Sequence, residues 1–283
     1  MDSSKESSAI NGNSGAKKIG AGILLSRLAG LLRESLLRSA LGLGPAADAF
    51  TAALRIPNLL QNLLGEGSLS SSFIPVYSKL LSEGKEKEAA NTAGAIAGLL
   101  IAFTGALTLI GIFLAKPIAK ILTPGFTSEK LDLTADLVKV TTAGIGFLVL
   151  AAWCLGILNS HRKFFLSYVA PVIWNAAQIV ILFIAISGNW DPAKTAKAAA
   201  WGLFIGGIAQ LLFQFSGVIK LRTKIRFSFS CKNLQVKDII KRFSPAVLGR
   251  GVIQISGYLD LVLASLLVTG AVAALMSAQV LYL

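Results

Sequence analysis

SRLAGLLRESLLRSALGLGPAADAFTAALRIPNLLQNLLGE, residues Ser26 to Glu66, decides how the rest of the chain is read. It looks like two apolar helices on either side of Gly42 to Pro45, yet it carries Arg27, Arg33, Glu34, Arg38, Asp48, Arg55 and Glu66. At 100° per residue Arg27, Glu34 and Arg38 fall within about 40° of one another and Arg33 points about 120° away. The first helix therefore presents a charged stripe with a Glu34–Arg38 pair at i,i+4. On the second helix, from about Ala46 to Leu64, Asp48, Arg55 and Asn62 recur every seven residues and share a face. Pro57 predicts a kink there, with a freed carbonyl that a neighbour or water must satisfy. A charge at bilayer depth costs about 2.5–3.5 kcal/mol on insertion scales. The expectation is that these helices line a hydrated cavity that receives something anionic.

Lipid is the expected solvent because the 283 residues are 54% hydrophobic and 14% charged, with a mean hydropathy of +0.69. A soluble domain would carry about 25% charged residues. Several windows exceed the roughly 20 apolar residues a span needs, which predicts an all-α, polytopic membrane helix bundle. Residues 1–18 are polar, Ser- and Gly-rich and without periodicity, so a disordered tail is expected. Residues 19–219 hold about six spans: 19–41, 46–64 with an interrupted continuation to 81, 91–115, 140–159 entered through an amphipathic stretch from 128, 164–187 and 198–219. A basic connector, 220–242, leads to residues 243–283, read as a seventh span to Val268 and the stub of an eighth. Leu261 to Leu283 is uncharged and long enough to span by itself; the break after Val268 is preferred.

The 27 Lys and Arg against 14 Asp and Glu give +13. In a membrane protein this excess records cytoplasmic loops, not a nucleic-acid partner. Lys79, Lys85 and Lys87, then His161, Arg162 and Lys163, then the eight Lys and Arg of the connector fall on one side; Lys130, Lys194 and Lys197 fall on the other. The positive-inside rule then puts the amino terminus in the cytoplasm. Cys154 lies in an apolar run and Cys231 in a basic loop, which predicts neither a disulfide nor a zinc site.

Buried arginines suit phosphate because a planar fork of N–H donors stays charged at every relevant pH. Arg27, Arg33, Arg38 and Arg55 could together form a pyrophosphate-binding surface. Asp48 is expected to pair with an arginine of the first helix or to cap the second. Glu66, between two glycines, suits a hinge, while Arg250 and Asp260, about 80° apart on the seventh helix, extend the polar cavity from the other side. His161 is expected to be solvated, and Trp153, Trp174, Trp190 and Trp201 to be interfacial or packing residues. No Walker loop or zincin motif is present, and a single histidine excludes most metal and nucleophile constellations. No cofactor, metal or enzymatic activity is expected.

Four blocks, SRLAGLLRE from Ser26, GPAADAF from Gly44, RIPNLL from Arg55 and GEGSLSSSFIPVY from Gly65, resemble the MurJ (MviN) lipid II flippase family. That family lies within the multidrug, oligosaccharidyl-lipid and polysaccharide exporter superfamily. The likeness continues through Thr123-Pro124-Gly125-Phe126, Leu158-Asn159-Ser160-His161-Arg162, Ala170-Pro171 with Asn175, and Gln254-Ile255-Ser256 with Asp260. It implies two six-helix lobes plus two extra helices in a bacterial cytoplasmic membrane, moving undecaprenyl-pyrophosphate-linked peptidoglycan precursor by alternating access. It also implies that Arg27, Arg33 and Asp48 are substrate-cavity residues; Arg55 joins them on its own pattern, with Glu34, Arg38, Glu66, Arg250 and Asp260 as further cavity or gating residues. The chain departs at Glu34, where many members have Asp, and at Gln61 and Asn62, where many are basic. At Ala278 to Leu281 an expected arginine is absent. The chain would hold the first six-helix lobe and the start of the second, so a second polypeptide is a possible partner beside the lipid-linked precursor and membrane lipids. A related multidrug or polysaccharide-repeat exporter and a non-transporting truncated remnant are the alternatives.

Overall fold

Glycine and proline cut the helices of this chain. The computed structural model describes residues 3–221, 225, 227–229 and 233–282. The first helix, α1 (Ser3–Leu41), stops at Gly42, whose φ of +59° disfavours any side chain. Because α1 starts at Ser3, the segment expected to be a disordered tail enters the helix. No proline intervenes, and extending a formed helix costs only propagation.

Pro45 opens α2 (Pro45–Ala53), where its missing N–H is harmless. The single kinked helix expected from Ala46 to Leu64 is instead broken at Leu54 into α2 and α3 (Arg55–Leu64). Pro57 has no N–H for the carbonyl of Ala53, and the Thr141 hydroxyl donates to that oxygen at 3.3 Å. Gly65 makes the next break, since a Cβ there would lie 2.3 Å from the Gln61 carbonyl oxygen. Beyond it runs α4 (Glu66–Ser82).

Next come α5 (Glu86–Phe113) and α6 (Ala115–Leu122). The helices α7 (Ser128–Ala143) and α8 (Ile145–Ser160) follow one another through Gly144 as a rod of 33 residues. After α9 (Phe164–Ser187), Asp191 caps α10 (Pro192–Lys220) by accepting from the Lys194 N–H at 3.0 Å. The expected break near Val268 falls between α11 (Leu234–Ser265) and α12 (Ala271–Tyr282), where Gly270 adopts φ +94°. The connector expected to run to 242 is already helical from Leu234, because Val236 and Ile239 are apolar and buried in the core. Its residues 222–224, 226 and 230–232, Cys231 among them, lie outside the described residues. Ser228 donates its N–H to the Gly94 carbonyl at 3.2 Å, so Ser228 and Phe229 lie against α5.

Among the described residues five helices are long and apolar enough to cross a membrane: α5, the α7–α8 rod, α9, α10 and α11. The first two expected spans fall outside that class, α1 through its charges and the second because it is broken into α2, α3 and α4. Lipid tails are as apolar as leucine, so close packing holds such a bundle together. On α10, Gly206 lets α9 approach until the Trp174 carbonyl lies 2.9 Å from where a Cβ would be. Phe73, Tyr77, Trp153 and Ile157 fill one core between α4, α5 and α8, and Leu37, Phe50, Val138 and Ala199 fill another between α1, α2, α7 and α10. Ala52, Leu122, Leu261 and Val272 join α11 and α12 to this body.

Candidate ligand cavity

A cavity of about 390 Å³ opens between α1, the α2–α3 break, the α7–α8 junction, α9, α10 and α12. Among the described residues its charged lining comes from Arg33, Glu34 and Arg38 on α1 and Arg55 on α3, three arginines against one glutamate, a formal excess of two positive charges. Phe50, Leu54, Pro57, Leu148 and Leu203 supply apolar wall; Thr51, Asn58, Gln61 and Thr141 supply neutral polar groups. The broken helix puts Pro57 in this wall, and the hydroxyl that satisfies the freed carbonyl is itself a lining residue.

Helical spacing brings the α1 charges into one network. Arg38 donates from Nε and Nη2 to Glu34 Oε1 at 2.9 and 2.6 Å, the expected i,i+4 pair. Its Nη1 donates to the carbonyl of Ala273 on α12 at 3.2 Å. Arg33 reaches the other Glu34 oxygen only at 3.4 Å, and its guanidinium carbon lies 5.2 Å from the centre of the Trp174 ring. Among the described residues Arg33 Nε and Trp174 Nε1 are buried donors without a hydrogen-bond partner. These three charged side chains are 20–26% exposed, so solvent screens them only in part. Arg55 donates from Nη2 to the Gly257 carbonyl, and the Tyr258 hydroxyl donates to the Arg55 carbonyl at 3.5 Å. Only a glycine admits this contact: a Cβ at Gly257 would lie 2.3 Å from Arg55 Nη2.

Of the residues singled out in the sequence, Arg33, Glu34, Arg38 and Arg55 meet in the cavity. Arg27 does not: it is exposed two turns before Glu34 on the same stripe, about 10 Å along the axis. Asp48 does not line it either. Its carboxylate is 1% exposed and accepts from Lys130 Nζ at 2.5 Å, from the Gly270 N–H at 2.8 Å and from the Ala273 N–H at 2.9 Å. It thus pairs with neither an α1 arginine nor its own helix end, and caps α12 from a distance. Gly270, in front of α12, has no side chain with which to cap. Arg250 is exposed and packs over Gly67, where a Cβ would meet its guanidinium carbon at 2.1 Å. Asp260 is half-buried within electrostatic range of Arg55, outside the lining. Glu66 heads α4, and its side chain lies outside the described residues.

Three participants escaped the sequence reading. Lys130, assigned to an outer connector, is buried over the Phe126 ring at 3.9 Å and paired with Asp48. Trp174, grouped with tryptophans expected to be interfacial or packing residues, lies near the middle of the 24-residue α9, and that depth was the signal for a place in the cavity. Thr141 carried none. His161 is half-buried rather than solvated and shares a hydrogen bond with the Tyr77 hydroxyl at 3.2 Å; burial holds its pKa below the ordinary value.

Among the described residues the fold and site define a membrane helix bundle built around an arginine-lined cavity. The family model described as "Lipid II flippase MurJ" matches residues 37–283, and the chain belongs to that family. A protein of Rhizobium tropici named "Probable lipid II flippase MurJ" is 34% identical over 268 residues, 93% of this chain and 50% of that one. Its namesake in Buchnera aphidicola subsp. Acyrthosiphon pisum (strain APS) is 32% identical over 251 residues, 88% of this chain and 48% of that one. A solved structure described as "Lipid II flippase MurJ, inward closed conformation" superposes with a TM-score of 0.76 at 27% identity, covering 93% of this chain and 54% of that one. An inward-facing multidrug resistance MATE family transporter of the MOP superfamily superposes at 0.73 with 20% identity, over 90% of this chain and 57% of that one, a likeness of fold alone. The chain spans about half the length of these curated relatives.

Proposed function

We propose that this chain forms the first lobe of a lipid II flippase and the beginning of the second, and that its cavity receives the pyrophosphate of the lipid-linked peptidoglycan precursor. The observation that carries the reading is Arg33, resting on the face of Trp174 and held by Glu34 only at 3.4 Å, in a cavity whose lining among the described residues has a formal excess of two positive charges. A guanidinium in that condition suits a phosphate oxygen. Glu34, the one carboxylate in the lining among the described residues, is engaged by Arg38, which leaves little for a cationic drug.

In this reading the chain is a carrier and not an enzyme. Alternating access needs two bundles moving about a shared site, so the rest of the second lobe comes from further sequence or from a second polypeptide. Membership of the family supports a bacterial inner membrane, and the loop charges support a cytoplasmic amino terminus. The test is complementation in a bacterium depleted of its own flippase, with the chain expressed alone and with a supplied second lobe, each with and without Arg33→Ala and Arg55→Ala. Rescue by the paired lobes that both substitutions weaken is the expected result. Rescue indifferent to both would remove the arginines from the reading, and failure of every pairing would remove the transport function.

A further inference from the structure

We infer that Arg38 is a positioning residue: it sequesters the Glu34 carboxylate and thereby leaves Arg33 as the guanidinium free to meet an anion. The inference rests on the cavity reading above and goes one step into its chemistry. Arg33 and Glu34 are neighbours in sequence, and a carboxylate beside the binding arginine would ordinarily quench it. Here the carboxylate is drawn the other way. Arg38 spends Nε and Nη2 on Glu34 Oε1 and Nη1 on the Ala273 carbonyl, so all three of its nitrogens are engaged. Among the described residues Arg33 keeps only the long 3.4 Å contact with Oε2, and it is supported by the Trp174 ring, to which it loses no charge.

The arrangement needs arginine at position 38. A planar fork holds the carboxylate on α1 and the carbonyl on α12 together, whereas a lysine ammonium is a single point charge on a flexible stem. Without Arg38, a side-chain rotation turns the Glu34 carboxylate onto Arg33, and a charge-assisted bond then competes with any phosphate.

The experiment measures binding of undecaprenyl pyrophosphate, against undecaprenol as the uncharged control, to the purified chain in nanodiscs. Wild type, Arg38→Ala, Glu34→Gln and the double variant are compared, and the melting temperature of each is recorded. Arg38→Ala should weaken pyrophosphate binding by about tenfold or more. The double variant should return to within about threefold of wild type. Its melting temperature should stay low, because the bond to Ala273 is still missing. A double variant as weak as Arg38→Ala would overturn the inference, since Arg38 would then be touching the ligand or merely docking α12. Full binding by Arg38→Ala would overturn it as well. A wild-type chain that does not prefer the pyrophosphate to the alcohol would remove the cavity reading itself, and this inference with it.

Discussion

Replacing Asp48 by alanine should damage the attachment of α12 far more than ligand binding. The carboxylate is 1% exposed and its partner Lys130 9%, so removing it strands an ammonium in a buried site. Breaking such a pair from one side costs about 3–5 kcal/mol. The N–H groups of Gly270 and Ala273 also lose their acceptor, and a lost helix cap adds about 1 kcal/mol. The two losses share one side chain and need not add, so about 4 kcal/mol is expected for Asp48→Ala. Lys130→Met made together with it removes the stranded charge and should bring the cost to about 2 kcal/mol, the unpaired N–H groups alone. Equilibrium unfolding in bicelles measures both, and amide hydrogen exchange at Gly270 and Ala273 reports the local loss. Binding of undecaprenyl pyrophosphate to the folded protein should change by less than about threefold, because Asp48 does not line the cavity. An Asp48→Ala protein as stable as wild type, or a double variant costing the sum of the two singles, would refute the keystone account.

Three further outcomes follow from single contacts. Thr141→Val leaves the Ala53 carbonyl without the donor it receives at 3.3 Å and should cost about 1–3 kcal/mol, with Thr141→Ser close to wild type in the same unfolding assay. Gly257→Ala puts a methyl 2.3 Å from Arg55 Nη2; Arg55 must leave the Gly257 carbonyl, and cross-linking between cysteines placed on α3 and α11 should fall. Burial keeps His161 below its ordinary value of 6.5, with Glu86 pulling upward and Lys163 downward. The unfolded chain therefore takes up the proton first, and stability is complete above about pH 6.5 and declines as pH falls through that value toward the folded pKa. His161→Gln should flatten the dependence of melting temperature on pH between about 5 and 7.5.

Most helix boundaries were legible because they depend on the local backbone. Gly42, Gly84 and Gly270 end or open helices through their own positive φ, Pro45 through its missing N–H and Gly65 through the Cβ it lacks. The break at Leu54 was not legible in its place. Pro57 announces a lost hydrogen bond, but whether the helix bends or breaks depends on what satisfies the Ala53 carbonyl. That donor, Thr141, is 88 residues away. The early start of α11 has a similar origin: Lys237, Lys241 and Arg242 make the segment read as a loop, while Val236 and Ile239 find a core only once α4, α5 and α8 are assembled.

For the site, periodicity gave direction around a helix but neither depth nor the identity of the facing neighbour. Arg27 shares its stripe with Glu34 and Arg38 at the right angle, yet stands two turns before the cavity. Asp48 and Arg55 share a face two turns apart, yet one is sealed against Lys130 and α12 while the other faces the lining. What separates Asp48 from Arg55 is the helix packed opposite, α12 against Asp48 and α11 against Arg55. Those helices lie more than 200 residues further along the chain. A charge whose partner is three or four residues away, such as Glu34 with Arg38, can be assigned from sequence because one helix fixes both ends. A charge that must choose among helices cannot, because burial makes the choice and burial belongs to the assembled bundle. Ala273 shows the consequence: it gives its N–H to Asp48 and its carbonyl to Arg38, so one residue of α12 ties a structural carboxylate to the cavity network.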